Sequence, residues 1–169
     1  MATGGAGSPP DGGWVAAGSA AEREPHLLFG LGRYTFALPL AVVGAVERPG
    51  RVTAVPFAVP WLRGVTAVRG AVVSVVDLGR FAGIPGAGGA PGARLLMTQA
   101  GGIRAALLVD RVAKLAALPP HPAPAPAAGG PLAPWWRGAH VVDGEVVPVI
   151  DPGRLFASAA FRAAQVPPA

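Results

Sequence analysis

The chain repeats itself. Laying residues 61–80 over residues 135–154, a shift of 74 positions without a gap, makes 11 of 20 pairs identical. These are Trp61/Trp135, Arg63/Arg137, Gly64/Gly138, Val68/Val142, Gly70/Gly144, Val72/Val146, Val73/Val147, Val75/Val149, Asp77/Asp151, Gly79/Gly153 and Arg80/Arg154. A bias toward Ala, Gly and Val supplies roughly two or three such matches by chance, so the excess marks a duplication. Upstream, a shift of 69 lays Gly32–Val46 over Gly101–Leu115 with a shared apolar pattern and few identities. The core therefore reads as two related halves, about 28–82 and 94–157.

Each half has β character. Leu27–Leu31 and Tyr34–Leu38 flank the turn Gly32-Arg33, and Leu95–Thr98 and Ile103–Leu107 flank Ala100-Gly101-Gly102. Both arrangements predict hairpins. Val42–Val46 and Val109–Leu115 read as the next strands. Gly64–Val68 then leads through Arg69-Gly70 into Val72–Val76, and Ala139–Val142 leads through Asp143-Gly144 into Val146–Ile150. Both β-branched runs end at an aspartate, Asp77 or Asp151, suited to capping a short helix or turn. About five strands per half predict an all-β fold of two pseudo-equivalent five-stranded barrels packed together, closure hiding the strand edges.

The 25 Gly and 20 Pro in 169 residues point toward disorder, but 51% hydrophobic content and a mean hydropathy of +0.46 require a core. Position resolves the conflict: 27 of the 45 lie within 1–25, 83–92, 119–134 and 163–169. The expected organisation is a disordered arm over 1–25 and one domain over 26–157, with flexible loops at 83–93 and 119–134 and a tail at 158–169.

The net charge of +5 raises nucleic acid as a partner, but the 14 basic residues, 13 of them Arg, are scattered singly rather than clustered. A basic nucleic-acid-binding barrel stays only a minor alternative, and no nucleic-acid partner is expected. With no Cys, neither a thiolate metal site nor a Cys nucleophile is available. Met1–Gly13 lacks the pattern of a secretion signal, and the longest apolar run, Phe36–Val46, is about half of a bilayer span. The expectation is a cytoplasmic protein without direct membrane insertion.

Catalytic groups are sparse. His26, His121 and His140 are far apart, no metal-ligand spacing exists, and no serine sits in a nucleophile elbow. No metal or cofactor is expected. The repeated aspartates, Asp77 and Asp151, offer a shared-proton dyad of the aspartic-protease kind as a hydrolytic alternative. Asp77-Leu78-Gly79 and Asp151-Pro152-Gly153 lack the hydroxyl residue that holds such dyads, and turn-capping is the plainer reading. Gly30-Leu31-Gly32 precedes a strand rather than a helix, which removes the phosphate cradle that a glycine fingerprint needs. Arg69, a lone charge between Val68 and Gly70, is either a solvated turn residue or a contact residue, and Val43 is either core or exposed edge.

The ordered motifs Phe29-Gly30-Leu31-Gly32, Val43-Gly44-Ala45-Val46, Trp61-Leu62-Arg63-Gly64-Val65, Val68–Leu78, Val109-Asp110-Arg111-Val112 and Val147–Asp151 resemble the CheW-like coupling proteins of bacterial chemotaxis. The resemblance spans roughly 27–157. It implies two interlocked, Src-homology-3-like five-stranded barrels and no enzymatic activity. It also implies a scaffold joining a CheA-type histidine kinase to the cytoplasmic tip of methyl-accepting chemotaxis receptors, at the receptor array. Its receptor-binding positions carry over to Val43 and Arg69. The chain departs from the family pattern at Ala45, where an acid is usual, at Ala67-Val68 before Arg69-Gly70, and at Ser74, where Pro is usual. A divergent adaptor of a type IV pilus or other chemosensory pathway is the alternative within the family.

Overall fold

The computed structural model describes residues 23–85 and 87–163, so most of the expected N-terminal arm and the last part of the expected tail lie outside the described residues. The first half forms β1 (Glu24–Leu31), β2 (Tyr34–Pro39), β3 (Val43–Glu47), β4 (Leu62–Val68), β5 (Ala71–Asp77) and the short helix α1 (Leu78–Phe81). The second forms β6 (Arg94–Ala100), β7 (Ile103–Val109), β8 (Arg111–Leu118), β9 (Trp136–Val142), β10 (Glu145–Ile150), α2 (Pro152–Ala157) and α3 (Ala159–Arg162).

The two halves exchange strands. One sheet has the order β8-β1-β2-β10-β9 and the other β3-β6-β7-β5-β4. Each sheet therefore takes two consecutive strands from one half and three from the other, and neither sheet is a half of the sequence. The halves meet partly through parallel pairings, Val149 with Ala37 and Ser74–Asp77 with Ala105–Leu108, while pairs within a half are antiparallel.

The ladders do not close into barrels: β8 and β9 are edges of one sheet, β3 and β4 of the other. Other contacts cover part of two of these edges. Thr53 exchanges two backbone hydrogen bonds of 2.8 Å with Val65 on β4. Ala123 does the same with Ala139 on β9, at 3.0 and 2.9 Å. A single bridging residue on β4 and another on β9 occupy donors and acceptors that would otherwise template another strand.

Period-2 alternation builds three apolar layers. Leu27, Phe29 and Leu31 of β1 and Phe36 and Leu38 of β2 face the other sheet, where Val76, Leu96 and Leu107 meet them in the shared core. The intervening Leu28 and Ala37 face the hollow of their own sheet with Val147 and Val149. In the other sheet, Val73, Val75, Leu95, Ala106 and Leu108 fill the corresponding hollow. Strands buried on both faces read as continuous apolar runs, which is why β1, β5 and β7 show little polar alternation. The repeat-paired Trp61 and Trp135 pack on one ring, Phe81, at centroid distances of 5.6 and 5.0 Å.

Local turn chemistry follows the duplication. Arg69-Gly70 and Asp143-Gly144 both have positive φ at each residue, 48° and 81° against 52° and 81°. That is the two-residue hairpin geometry that matches strand twist. Asp77 and Asp151 each accept the N–H three residues on, from Arg80 and Arg154, both at 3.0 Å. These are N-caps. The stretch expected as one strand, Val109–Leu115, is broken: β7 ends at Val109, Asp110 turns its carboxylate inward, and β8 starts at Arg111. Part of the stretch expected as tail is folded, since α3 places Phe161 fully buried, stacked 4.5 Å from Phe156.

Candidate functional site

The exposed hairpin tip at Arg69 and the edge strand β3 define the candidate site. Arg69 holds a left-handed backbone because the following Gly70 completes the turn, and its side chain is exposed. Among the described residues no acid pairs with it. Across the gap, β3 carries a bulge between Val43 and Ala45, where the register with β6 shifts. The bulge leaves Gly44 exposed and turns Val43 half-buried against the shared core. A groove of about 280 Å³ separates the tip from the edge strand. Its walls are Val68, Ala71, Val73 and Met97, and its floor on the β3 side is Gly44 and Ala45. Arg69 and Arg104 are its charged residues. Arg104 also donates from Nε to the Gln99 side chain at 3.1 Å. The structure thus brings Arg69 beside β3, whereas Val43 stays outside the groove lining and packs inward.

The other sheet treats the corresponding seam differently. There Lys114 of β8 forms an ion pair with Asp143 at the β9–β10 tip. The two repeat shifts place Lys114 on Ala45 and Asp143 on Arg69. One seam is therefore bridged by opposite charges, and at the other the corresponding positions hold a cation and a methyl group that line one groove.

The aspartates serve their own helices. Asp77 is fully buried; Oδ1 accepts from the Arg80 N–H, and Oδ2 lies 3.5 Å from the Arg80 guanidinium and 3.9 Å from that of Arg63. Asp151 caps α2 through the Arg154 N–H. Neither carboxylate has the other as a partner among the described residues, so the dyad expected as an alternative is not assembled.

Asp110 organises residues that motif reading left separate. Its Oδ2 accepts from the Gly32 N–H at 2.6 Å and its Oδ1 from the Gly88 N–H at 2.7 Å. Arg111 lies over Gly30 and donates to the Gly32 carbonyl at 2.8 Å. This pair pins the β1–β2 turn and the loop after α1 to β8. The only hint in the sequence is the charged Asp110-Arg111 dipeptide between two apolar runs.

His26 and His140 approach within 6.4 Å, while His121 lies elsewhere, in the proline-rich loop. Burial lowers the pKa of His140 below its ordinary 6.5, the charge of His26 adds to this, and a hydrogen bond with the Pro119 backbone opposes it. Among the described residues no three His, Asp or Glu side chains converge as a metal set, and no helix is long and apolar enough to cross a membrane.

The model of the CheW-like domain matches residues 25–160. The chain belongs to the CheW-like domain family. Its fold is similar to that of the scaffolding protein TtCheW from Thermoanaerobacter tengcongensis, with a TM-score of 0.74. That match has 22% sequence identity and covers 82% of this chain and 90% of the other. No curated protein matches. The CheW-like family is one of non-enzymatic chemotaxis scaffolds. The two five-stranded sheets are the interlocked Src-homology-3-like arrangement of that fold, built with open edges.

Proposed function

We propose that this chain couples a CheA-type histidine kinase to the cytoplasmic tip of methyl-accepting chemotaxis receptors, without turnover of its own, in the cytoplasm at the receptor array. The observation that carries this reading is Arg69, exposed and without an acidic partner among the described residues, at the mouth of a groove on one sheet. In this reading Arg69 meets the receptor, and Val43 contributes by holding the bulged edge of β3 against the core. Kinase binding uses a different face. Val141 and Val146 form a cross-strand pair on the other sheet, 73% and 54% exposed, with Leu115 also exposed on β8. Apolar side chains displayed on a rigid sheet mark an interaction surface. Two faces on one interlocked core hold two partners at fixed geometry, so signalling depends on assembly.

Co-sedimentation with the kinase and receptor fragments of the same cell tests the reading. Wild type sediments with both partners. Arg69→Ala, with its melting temperature unchanged, loses the receptor and retains the kinase, whereas Val141→Asp does the reverse. Absence of wild-type binding to either partner overturns the assignment.

A further inference from the structure

The two seams of this duplicated fold differ in one respect that has chemical consequences. In the first sheet the edge strand supplies a cation, Lys114, and the hairpin tip supplies an acid, Asp143. In the second the tip supplies the cation, Arg69, but the edge strand places Gly44 and Ala45 in the groove, and its acid, Glu47, lies outside that lining. A second cation, Arg104, lines the same groove, and no lining residue is acidic. Two guanidinium groups at one mouth set up a positive potential over a small apolar cleft, and such a potential selects an acidic partner and speeds its encounter.

We infer that this groove receives a carboxylate side chain from the receptor tip, seated between Arg69 and Arg104, with neighbouring apolar side chains of the receptor resting on Val68 and Met97. The inference rests on the adaptor reading above and names the chemistry that the receptor must present. The carboxylate supplied in trans does for this seam what Asp143 does within the chain for the other. An Arg also accepts a carboxylate bidentately, which fixes the orientation of the docked segment as well as its position. The small side chains on the β3 side, Gly44 and Ala45, leave the room that such a segment needs.

The test is a titration of the full chain with a soluble receptor cytoplasmic fragment from the same cell, at low and high salt, alongside melting curves. Wild type binds with an affinity that falls as salt rises. Arg69→Gln and Arg104→Gln each weaken binding by about tenfold and flatten the salt dependence. Ala45→Glu, which offers an acid within the chain, also weakens binding by about tenfold, while Ala45→Gln, of the same size without charge, stays within about twofold of wild type. Ala45→Glu raises the melting temperature, and the gain vanishes when combined with Arg69→Gln. A fragment that binds wild type and every variant equally overturns this inference and leaves the adaptor reading standing. A fragment that does not bind wild type overturns both.

Discussion

The carbonyl oxygen of Thr53 occupies the place where a Cβ on Gly64 would sit. Gly64 has φ +140°, and its repeat mate Gly138, at φ +150°, meets the Ala123 carbonyl in the same way. Both glycines lie next to the single bridging residue that covers an outer strand edge, Thr53 on Val65 and Ala123 on Ala139. Their identity in both halves follows from backbone packed against backbone.

Gly64→Ala and Gly138→Ala therefore each destabilise the fold by about 2 kcal/mol or more, since backbone strain and a displaced edge bridge add. Gly50, with open space around its Cα, is the control. Gly50→Ala leaves the urea midpoint unchanged, and equal midpoints for all three variants would refute the packing explanation.

Losing the cap differs between the two aspartates. Asp151→Ala removes one N–H acceptor at a partly exposed helix start and costs about 1 kcal/mol. Asp77 is fully buried beside the guanidinium groups of Arg63 and Arg80. Asp77→Ala removes the cap and leaves both cations facing a methyl group, so it costs about 2–3 kcal/mol. Chemical denaturation of the two variants gives this order, and the reverse order contradicts the assignment of Asp77 to a buried ionic cap.

Phe161 tests whether the C-terminal helix is part of the domain. Its ring is fully buried against Phe156 and 5.9 Å from Phe81. Phe161→Ala costs about 3–5 kcal/mol, the range for truncating a buried aromatic. Phe81→Ala separates Trp61 and Trp135 from their common partner and changes tryptophan emission as well as stability. Wild-type stability in Phe161→Ala would show that α3 is dispensable.

Stability depends on pH through His140. Its folded pKa lies below 6.5, chiefly by burial and then by the charge of His26. The unfolded chain therefore binds this proton more readily than the folded one, and stability rises with pH wherever that holds. The contribution is present above about pH 6.5 and is lost as pH falls below it. Urea midpoints measured from neutral pH downward decline in wild type and decline less in His140→Gln. An identical decline in both would assign the effect to other groups.

Much of the local structure was legible because its causes span four residues or fewer. The tips Arg69-Gly70 and Asp143-Gly144, the caps Asp77 and Asp151, and the Gly32-Arg33 turn each depend on backbone preferences and short-range hydrogen bonds that residue types announce. The resemblance carried the family, and Arg69 lies at the exposed hairpin tip that the Arg69-Gly70 pair predicts. Val43 was ambiguous because a strand residue next to a glycine bulge has no periodic signature; the shift at Gly44 decides that it packs toward the core.

The duplication and the apolar runs established a β fold of two related units, because a repeated pattern must bury its faces twice. They left undetermined which strands share a sheet. Period-2 alternation tells a side chain which face it lies on, but not which distant strand lies opposite. The exchange of β1 and β2 against β6 and β7, the reach of Asp110 to Gly32 and Gly88, and the meeting of Trp61 with Trp135 on Phe81 arise when three apolar layers are filled together. The same assembly brings Lys114 to Asp143 and sets Arg69 and Ala45 in the lining of one groove. Such long-range partners are chosen by the burial that the whole chain achieves, and no local preference encodes them.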